Sequence, residues 1–573
     1  MSNNSRSHLD DEVLARWQWF YRKGQIGRRD MLRALAVAGG GAALAACAPT
    51  APAPAPAKDA APAKPGEAAK PGAAAADPYA QAAKPAAAAK AGGKDIINVG
   101  FTSDLTNMDP HMHNARFQII FQYHVNDNLG VRDPNTNRIV PHLATSWKPV
   151  EPTTWELELR KDVKFHNGDP FDAEVVKWNW ERVINPEQKS QQKGNHEAIK
   201  GVEVVDSHKV RVHTTSPYPV FVERLQNFQF ISPKVAKEKG DTWLAENVIG
   251  TGPYKLVEWK RDQYALTERN DEYWGPKPAF KQFKYVMIPE ITTQIAELLN
   301  GNLDVIRGLP TDQINAINNS GRAKVTTKPI LRVGHVRLDA RGRTAPNPFQ
   351  DVRVRHAANH AVDIDSYIKS LQPGGDRTPA YVNPLHFGYD PSIKPHQYDP
   401  ELAKKLLTEA GHPNGFDVTW HMVTSNIMPN AKAVYESMQQ QLGKVGIRVK
   451  FQMHEARAHD ERNRAGQNGP MHEGSWGSYS VFDADGILWD MLHSTSPFSY
   501  YENQELDKLL LDARSTLDET VRKDLYARAQ KIVRDDAPFI FMWGYHQLWG
   551  INNAVNWTPD ADEIDKFYTA KPA

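Results

Sequence analysis

Beyond residue 94 the apolar positions alternate with polar ones in several short runs. "DIINVGF" (95–101), "TWELELR" (154–160), "HKVRVHT" (208–214) and "YALTERN" (264–270) each predict a half-buried strand. Between them lie runs with the helical period and clear punctuation. In "DPELAKKLLTEAG" (399–411), Asp399 is placed to cap and Pro400 to fill the first turn. Leu402, Leu406, Leu407 and Ala410 share a face, and Gly411 ends the helix. In "LDETVRKDLYARAQKIVRDDAP" (517–538), Asp518 caps and Pro538 follows the stop. Val521, Leu525, Ala529 and Ile532 form the stripe predicted to be buried. "TTQIAELLNG" (292–301) predicts a third helix closed by Gly301. Strands and helices mixed without a strict βα alternation predict an α/β chain with mixed (α+β) sheets and several domains. No repeat of 20–50 residues is visible.

The first 94 residues break this pattern. Arg28 and Arg29 precede an apolar run at 34–46, about a dozen residues against the roughly 20 that cross a bilayer. Charge followed by a short apolar run predicts an export signal, and the arginine pair predicts the twin-arginine route. "LAAC" (44–47) resembles the bacterial lipobox, which implies cleavage before Cys47 and lipid attachment to it. Residues 1–47 thus read as a signal with lipobox. Residues 48–94 are almost all Ala, Pro, Lys and Gly, and they predict a disordered, semi-stiff tether. No later apolar run is long enough for a transmembrane helix.

Composition narrows the chemistry. The 573 residues leave room for two or more cores after the signal, and Lys+Arg 69 against Asp+Glu 68 gives no field favouring nucleic acid. Cys47 is the only cysteine, which excludes an internal disulfide or CxxC metal site. No GxSxG, P-loop or GxGxxG-to-helix pattern occurs, so no catalytic residue and no cofactor is expected. "HEARAH" (454–459) spaces its histidines by five, about 140° apart around a helix, so it is no zinc helix. "HMH" (111–113) is expected to have a surface or loop role, and no metal site is predicted. Asp483 and Asp485 in "VFDADG" (481–486) form a carboxylate pair whose plainest reading is a turn.

Taken in order, a series of stretches resembles the family 5 extracellular solute-binding proteins, the oligopeptide-, dipeptide- and nickel-binding type that serve ABC importers. They include "NMDPH" (107–111), "IVPHLATSWKP" (139–149), "TWELELRKDVKFHNGDPFDAEVVKWNWER" (154–182), "GTGPYKLVEW" (250–259) and "ERNDEYWG" (268–275). "IAELLNGNLDV" (295–305), "PFQDVRVRHAANHAVD" (348–363), "GYDP" (388–391), "YDPELAKKLLTEAG" (398–411) and "DDAPFIFMW" (535–543) complete the series. The resemblance implies a class II periplasmic-binding-protein-like clamshell. Domain I would comprise 95–140, 247–333 and 535–573, an inserted domain II 141–246, and domain III 334–534. It implies a non-enzymatic, monomeric subunit that captures solute between domains I and III and hands it to a permease and ATPase. With the lipobox, the place of work would be the extracytoplasmic face of the bacterial cell membrane.

The resemblance also locates the ligand site. Peptide-binding members hold the peptide's ammonium with an Asp three residues after a Trp. Here Trp476 and Gly477 lie in "GSWGSYSVFDADG" (474–486), where the third residue after the Trp is Tyr479, with Asp483 or Asp485 as possible substitutes. Dipeptide binders carry an Arg where this chain has Ser425, beside Asn426. Both expected charged clamps are therefore absent. The alternatives to a peptide are an oligosaccharide or other neutral solute, or an anchored sensory or enzymatic domain on the same fold.

Overall fold

The alternating runs form strands at Ile96–Phe101, Thr154–Leu159, Lys209–Thr214 and Tyr264–Arg269. The computed structural model describes residues 94–372, 374–424, 430–477 and 481–573. The signal, Cys47 and nearly all of the tether, with Ser425, Asn426 and Tyr479, lie outside the described residues.

Helix punctuation acts as the sequence predicts. Asp399 accepts from the Leu402 amide at 2.9 Å, and Pro400–Glu409 is helical, with Ala403 and Leu407 its most buried residues. Such a cap stabilises by about 1 kcal/mol. Gly301 closes Ile291–Asn300 at φ 82°, in the left-handed region where a side chain would be strained. Helix Glu519–Asp536 is capped by Asp518, but its buried face departs from prediction. Val521 is 47 % exposed, while Arg522, Leu525, Tyr526, Ala529, Gln530 and Val533 are buried. The face is rotated because Arg522 and Tyr526 turn inward to a buried carboxylate, Asp483.

An eleven-stranded mixed sheet runs through the structure. Its central path is Ile447–His454, Phe416–Val423, Met471–Trp476, Ala323–Leu338, Phe539–Asn552, Val305–Arg307, Ile96–Phe101, Gln282–Met287, Tyr264–Arg269 and Tyr254–Lys260. The two long strands, Ala323–Leu338 and Phe539–Asn552, pair antiparallel along much of their length and join one half of the sheet to the other. Their register shifts twice, between Pro329 and Val333 and between Val333 and His335. Such irregularities bend strands and increase their twist. At Gly334 an added Cβ would stand 2.6 Å from the Tyr545 hydroxyl, so only glycine allows this approach.

A separate four-stranded antiparallel sheet (Ala144–Glu151, Thr154–Leu159, Lys209–Thr214, Ile199–Asp206) has its own core, including Trp155, Leu157, Trp180 and Phe228. Another core, with Ile487, Leu488, Leu510 and Tyr526, lies among helices of the 485–536 region.

His111 and His113 depart from expectation. They lie in a loop but are 1 % and 2 % exposed. His111 Nε2 bonds the Gln229 carbonyl at 3.0 Å, and Arg182 pairs with Asp109 at 2.6 Å, tying the loop into the interior. "HEARAH" is not one helix: its first histidine ends strand Ile447–His454, and its second lies in helix Ala456–Arg464.

Candidate functional site

Trp476 ends strand Met471–Trp476 and pairs with Val333, the residue flanked by the two register shifts of its neighbour strand. The site candidate thus stands where the long strands cross from one half of the sheet to the other. The indole is partly buried. Its Nε1 donates to the Gly486 carbonyl at 3.0 Å, and its ring centroid lies 5.3 Å from that of Phe498. One edge of the ring is therefore fixed by the protein itself.

A Cβ on Gly477 would stand 3.4 Å from Arg332 Nη2 and 3.5 Å from Glu563 Oε2. This places Trp476 beside a charged cluster that the sequence reading missed. Asp560, Asp562, Glu563 and Asp565 come from one short C-terminal stretch, as does Lys566, while their arginine partners come from distant ones. Arg332 lies 3.8 Å and Arg116 4.0 Å from Glu563, and Arg307 pairs with Asp565 at 3.1 Å. Lys566 pairs with Asp560 at 3.3 Å. Burial alone would raise the Glu563 pKa, yet Arg332, Arg116 and Arg307 hold it below the ordinary value. Burial pushes Asp565 up to about 6 against the pull of Arg307. The one available signal was the acidic run "DADEID" (560–565) with Lys566 directly after it, since its arginine partners are scattered from residue 116 to 332.

Arg332 is the most open of the cluster's arginines. Its side chain is 32 % exposed, against 21 % for Arg116 and 8 % for Arg307. It also donates to Ser475 Oγ at 3.2 Å, beside Trp476.

Asp483 and Asp485 are each matched by a protein cation. Arg522 Nη2 meets Asp483 at 2.8 Å, and the Tyr526 hydroxyl donates to the same carboxylate at 3.0 Å. Burial pushes Asp483 up to about 6, while Arg522 pulls it down. Arg514 grips Asp485 through two bonds of 2.8 Å, and its guanidinium lies 3.7 Å from the Trp489 ring centroid. The Asp485 amide donates to Asp483 Oδ1, the turn geometry expected of such a pair. These bonds make both aspartates anchors of the chain after Trp476. The same segment reaches the separate four-stranded lobe. The Phe482 amide donates to Glu223 at 3.0 Å, and Arg132 lies 3.7 Å from the Phe482 ring centroid.

Among the described residues no helix is long and apolar enough to cross a membrane. In solved structures this architecture recurs in a Helicobacter pylori binding protein, DppA, described as ABC transporter-associated and in complex with the peptide STSA. That protein is 25 % identical, with TM-score 0.70, over 83 % of this chain and 98 % of that one. A dipeptide-binding protein from Pseudoalteromonas, in complex with Met-Leu, is also 25 % identical, with TM-score 0.72 over 83 % of this chain and all (100 %) of the other. The fold defines a class II periplasmic binding protein, a class that binds a solute and is not an enzyme.

Residues 138–499 match the bacterial extracellular solute-binding proteins, family 5, and the chain belongs to that family. Among characterised relatives, the probable D,D-dipeptide-binding periplasmic protein of Escherichia coli is 28 % identical over 81 % of this chain and 91 % of its own length. The nickel-binding periplasmic protein of the same organism is 29 % identical over 78 % of this chain and 89 % of its own.

Proposed function

We propose that this protein is the lipid-anchored binding subunit of an ABC importer and that it captures an oligopeptide or dipeptide beside Trp476. The supporting observation is the position of Trp476 and Gly477 where the two long strands change register, next to an arginine that keeps a third of its side chain exposed. An extended peptide can add its backbone to a strand edge, Trp476 offers a flat apolar face, and Arg332 offers donors for a carboxylate. In this reading, domain I (95–140, 247–333, 535–573) and domain III (334–534) close over the ligand about the register shifts, with domain II (141–246) attached to the first. Ligand contacts in both halves would favour the closed state, which the permease recognises. Two of the ligand-bound structures similar to this chain hold peptides, which supports the peptide class, while the nickel-binding relative keeps other solutes within the family's range.

Calorimetry of the intact chain against di-, tri- and tetrapeptides and a matched oligosaccharide panel tests the proposal. A peptide is expected to bind in the micromolar range or tighter without being consumed, and binding confined to the sugars would overturn the peptide assignment. The anchor has its own arm. Cys47→Ser is expected to move the protein from the membrane fraction to the soluble one, and unchanged membrane retention would refute lipidation at Cys47.

A further inference from the structure

A second constellation lies on elements remote in sequence from Trp476. His356 and His360 occupy one face of helix Val352–His360, four residues apart, and His396 comes from the segment preceding helix Pro400–Glu409. Candidate donor atoms of all three lie within 4.8 Å of one another. From the geometry we propose that His356, His360 and His396 form a binding site for a divalent transition metal, zinc foremost, distinct from the solute site.

The hydrogen bonds fix which nitrogens are free to coordinate. A carbonyl can only accept, so a ring nitrogen that bonds one must carry the proton. His356 Nε2 bonds the Asp535 carbonyl at 2.7 Å, which leaves Nδ1 with its lone pair. His360 Nδ1 bonds the Gln397 carbonyl at 2.7 Å, which leaves Nε2. Metal-binding histidines generally donate their second ring nitrogen to a carbonyl or carboxylate, which orients the ring and raises the basicity of the other nitrogen. Two of the three histidines already have this outer support.

His396 supplies the independent observation. It is 4 % exposed, yet neither ring nitrogen makes a hydrogen bond of normal geometry, the Arg534 backbone being the polar group nearest to offering one. A buried imidazole left so is destabilising unless something else meets it. Its ring is stacked on Phe541 and lies 5.0 Å from the His356 ring and 5.2 Å from the His360 ring, centre to centre. Its neighbours therefore hold it in place. Tetrahedral zinc with bonds of about 2.0–2.1 Å needs donors roughly 3.3 Å apart, so from a spacing of up to 4.8 Å the rings would have to close in on the metal.

The surrounding charges favour neutral ligands. The burial of His396 disfavours a charged ring, and a neutral imidazole offers one nitrogen lone pair to a metal. Arg534, Arg377 and Arg355 are nearby cations, and each is held by other groups, Arg355 by the Asp536 and Phe349 carbonyls. Arg534 Nε donates to the Lys394 carbonyl at 2.8 Å, and Arg377 pairs with Asp365 at 2.8 Å while donating to the His396 carbonyl at 3.0 Å. Three neutral imidazoles suit zinc and leave a fourth position for water. The metal would tie the end of helix Val352–His360 to the chain before the next helix, a structural cross-link rather than a catalytic centre. In sequence, "HAANH" (356–360) carries the four-residue spacing that "HEARAH" lacks.

The test is a zinc titration of the intact, untagged chain after chelator treatment, read by competition with a chromogenic chelator and by thermal shift. Wild type is expected to bind one equivalent and to melt higher with zinc. His360→Gln, at a partly exposed position, and His396→Gln are each expected to weaken zinc by at least the roughly 10- to 100-fold that loss of an outer partner costs, and to abolish the thermal shift. Both should leave melting in chelator and binding at the solute site near wild type. Unchanged zinc affinity in either folded variant would overturn the site. So would loss of the zinc equivalent in His421→Gln, a change in a separate histidine pair with His454.

Discussion

Trp476→Ala is expected to remove tight solute binding while leaving a folded protein. Loss of a central aromatic anchor costs about 2–4 kcal/mol of binding energy, or roughly 30- to 700-fold in Kd. Its structural cost is smaller. The ring is only partly buried, and its loss removes the hydrogen bond to the Gly486 carbonyl and the packing on Phe498, so about 1–2 kcal/mol of stability is expected. The two effects separate by measurement. Calorimetry with the best ligand from the peptide panel reads Kd, and urea unfolding reads stability. Trp476→Phe keeps an aromatic face without the indole donor and should bind between the two. Wild-type affinity in Trp476→Ala would mean that the ring only supports the Gly486 turn, and the proposed solute site would then lie elsewhere.

Arg522→Met should destabilise the fold more than any other single change considered. It keeps much of the side-chain volume but leaves Asp483 buried without its cation, and it also removes the bond to the Ala513 carbonyl. Breaking a buried pair from one side costs about 3–5 kcal/mol. The pH dependence has a definite sign. Asp483 is already pushed up to about 6 in the folded state, so the folded form binds more protons than the unfolded one over the window from its ordinary value to about 6. Its contribution to stability therefore falls as pH rises through that window. Without Arg522 its folded pKa climbs further, so the loss continues above pH 6. The variant's deficit, measured by urea unfolding, should be larger at about pH 8 than at about pH 5. A deficit that is small and independent of pH would show that Arg522 does not hold Asp483 ionised. Adding Asp483→Asn to the variant should recover part of the loss, because it removes the unpaired charge.

These residues also mark how far the sequence could be read. The strands of period two and the capped helices are local. Asp399, Asp518 and Gly301 act through bonds to their own neighbours, so a linear reading locates them. Membership in family 5 was legible for a related reason: many short motifs in fixed order reflect a fold that imposes each of them. In Glu519–Asp536, Leu525 and Ala529 are buried as expected, but Val521 gives way to Arg522 because hydrophobicity counts an arginine as outward-facing. Only a carboxylate from a distant loop makes Arg522 an interior residue.

The chain by itself therefore determined the element types and the family, since each depends on neighbours in sequence or on a motif. The tertiary structure alone decided which charges meet. It gave Asp483 to Arg522 and Asp485 to Arg514, set Arg332 beside Trp476, and brought His396 to the His356–His360 pair. The physical reason is that pairing of buried charges and of metal donors depends on separation in space over a few ångströms. In this fold the long strands and loops, not sequence spacing, set those separations.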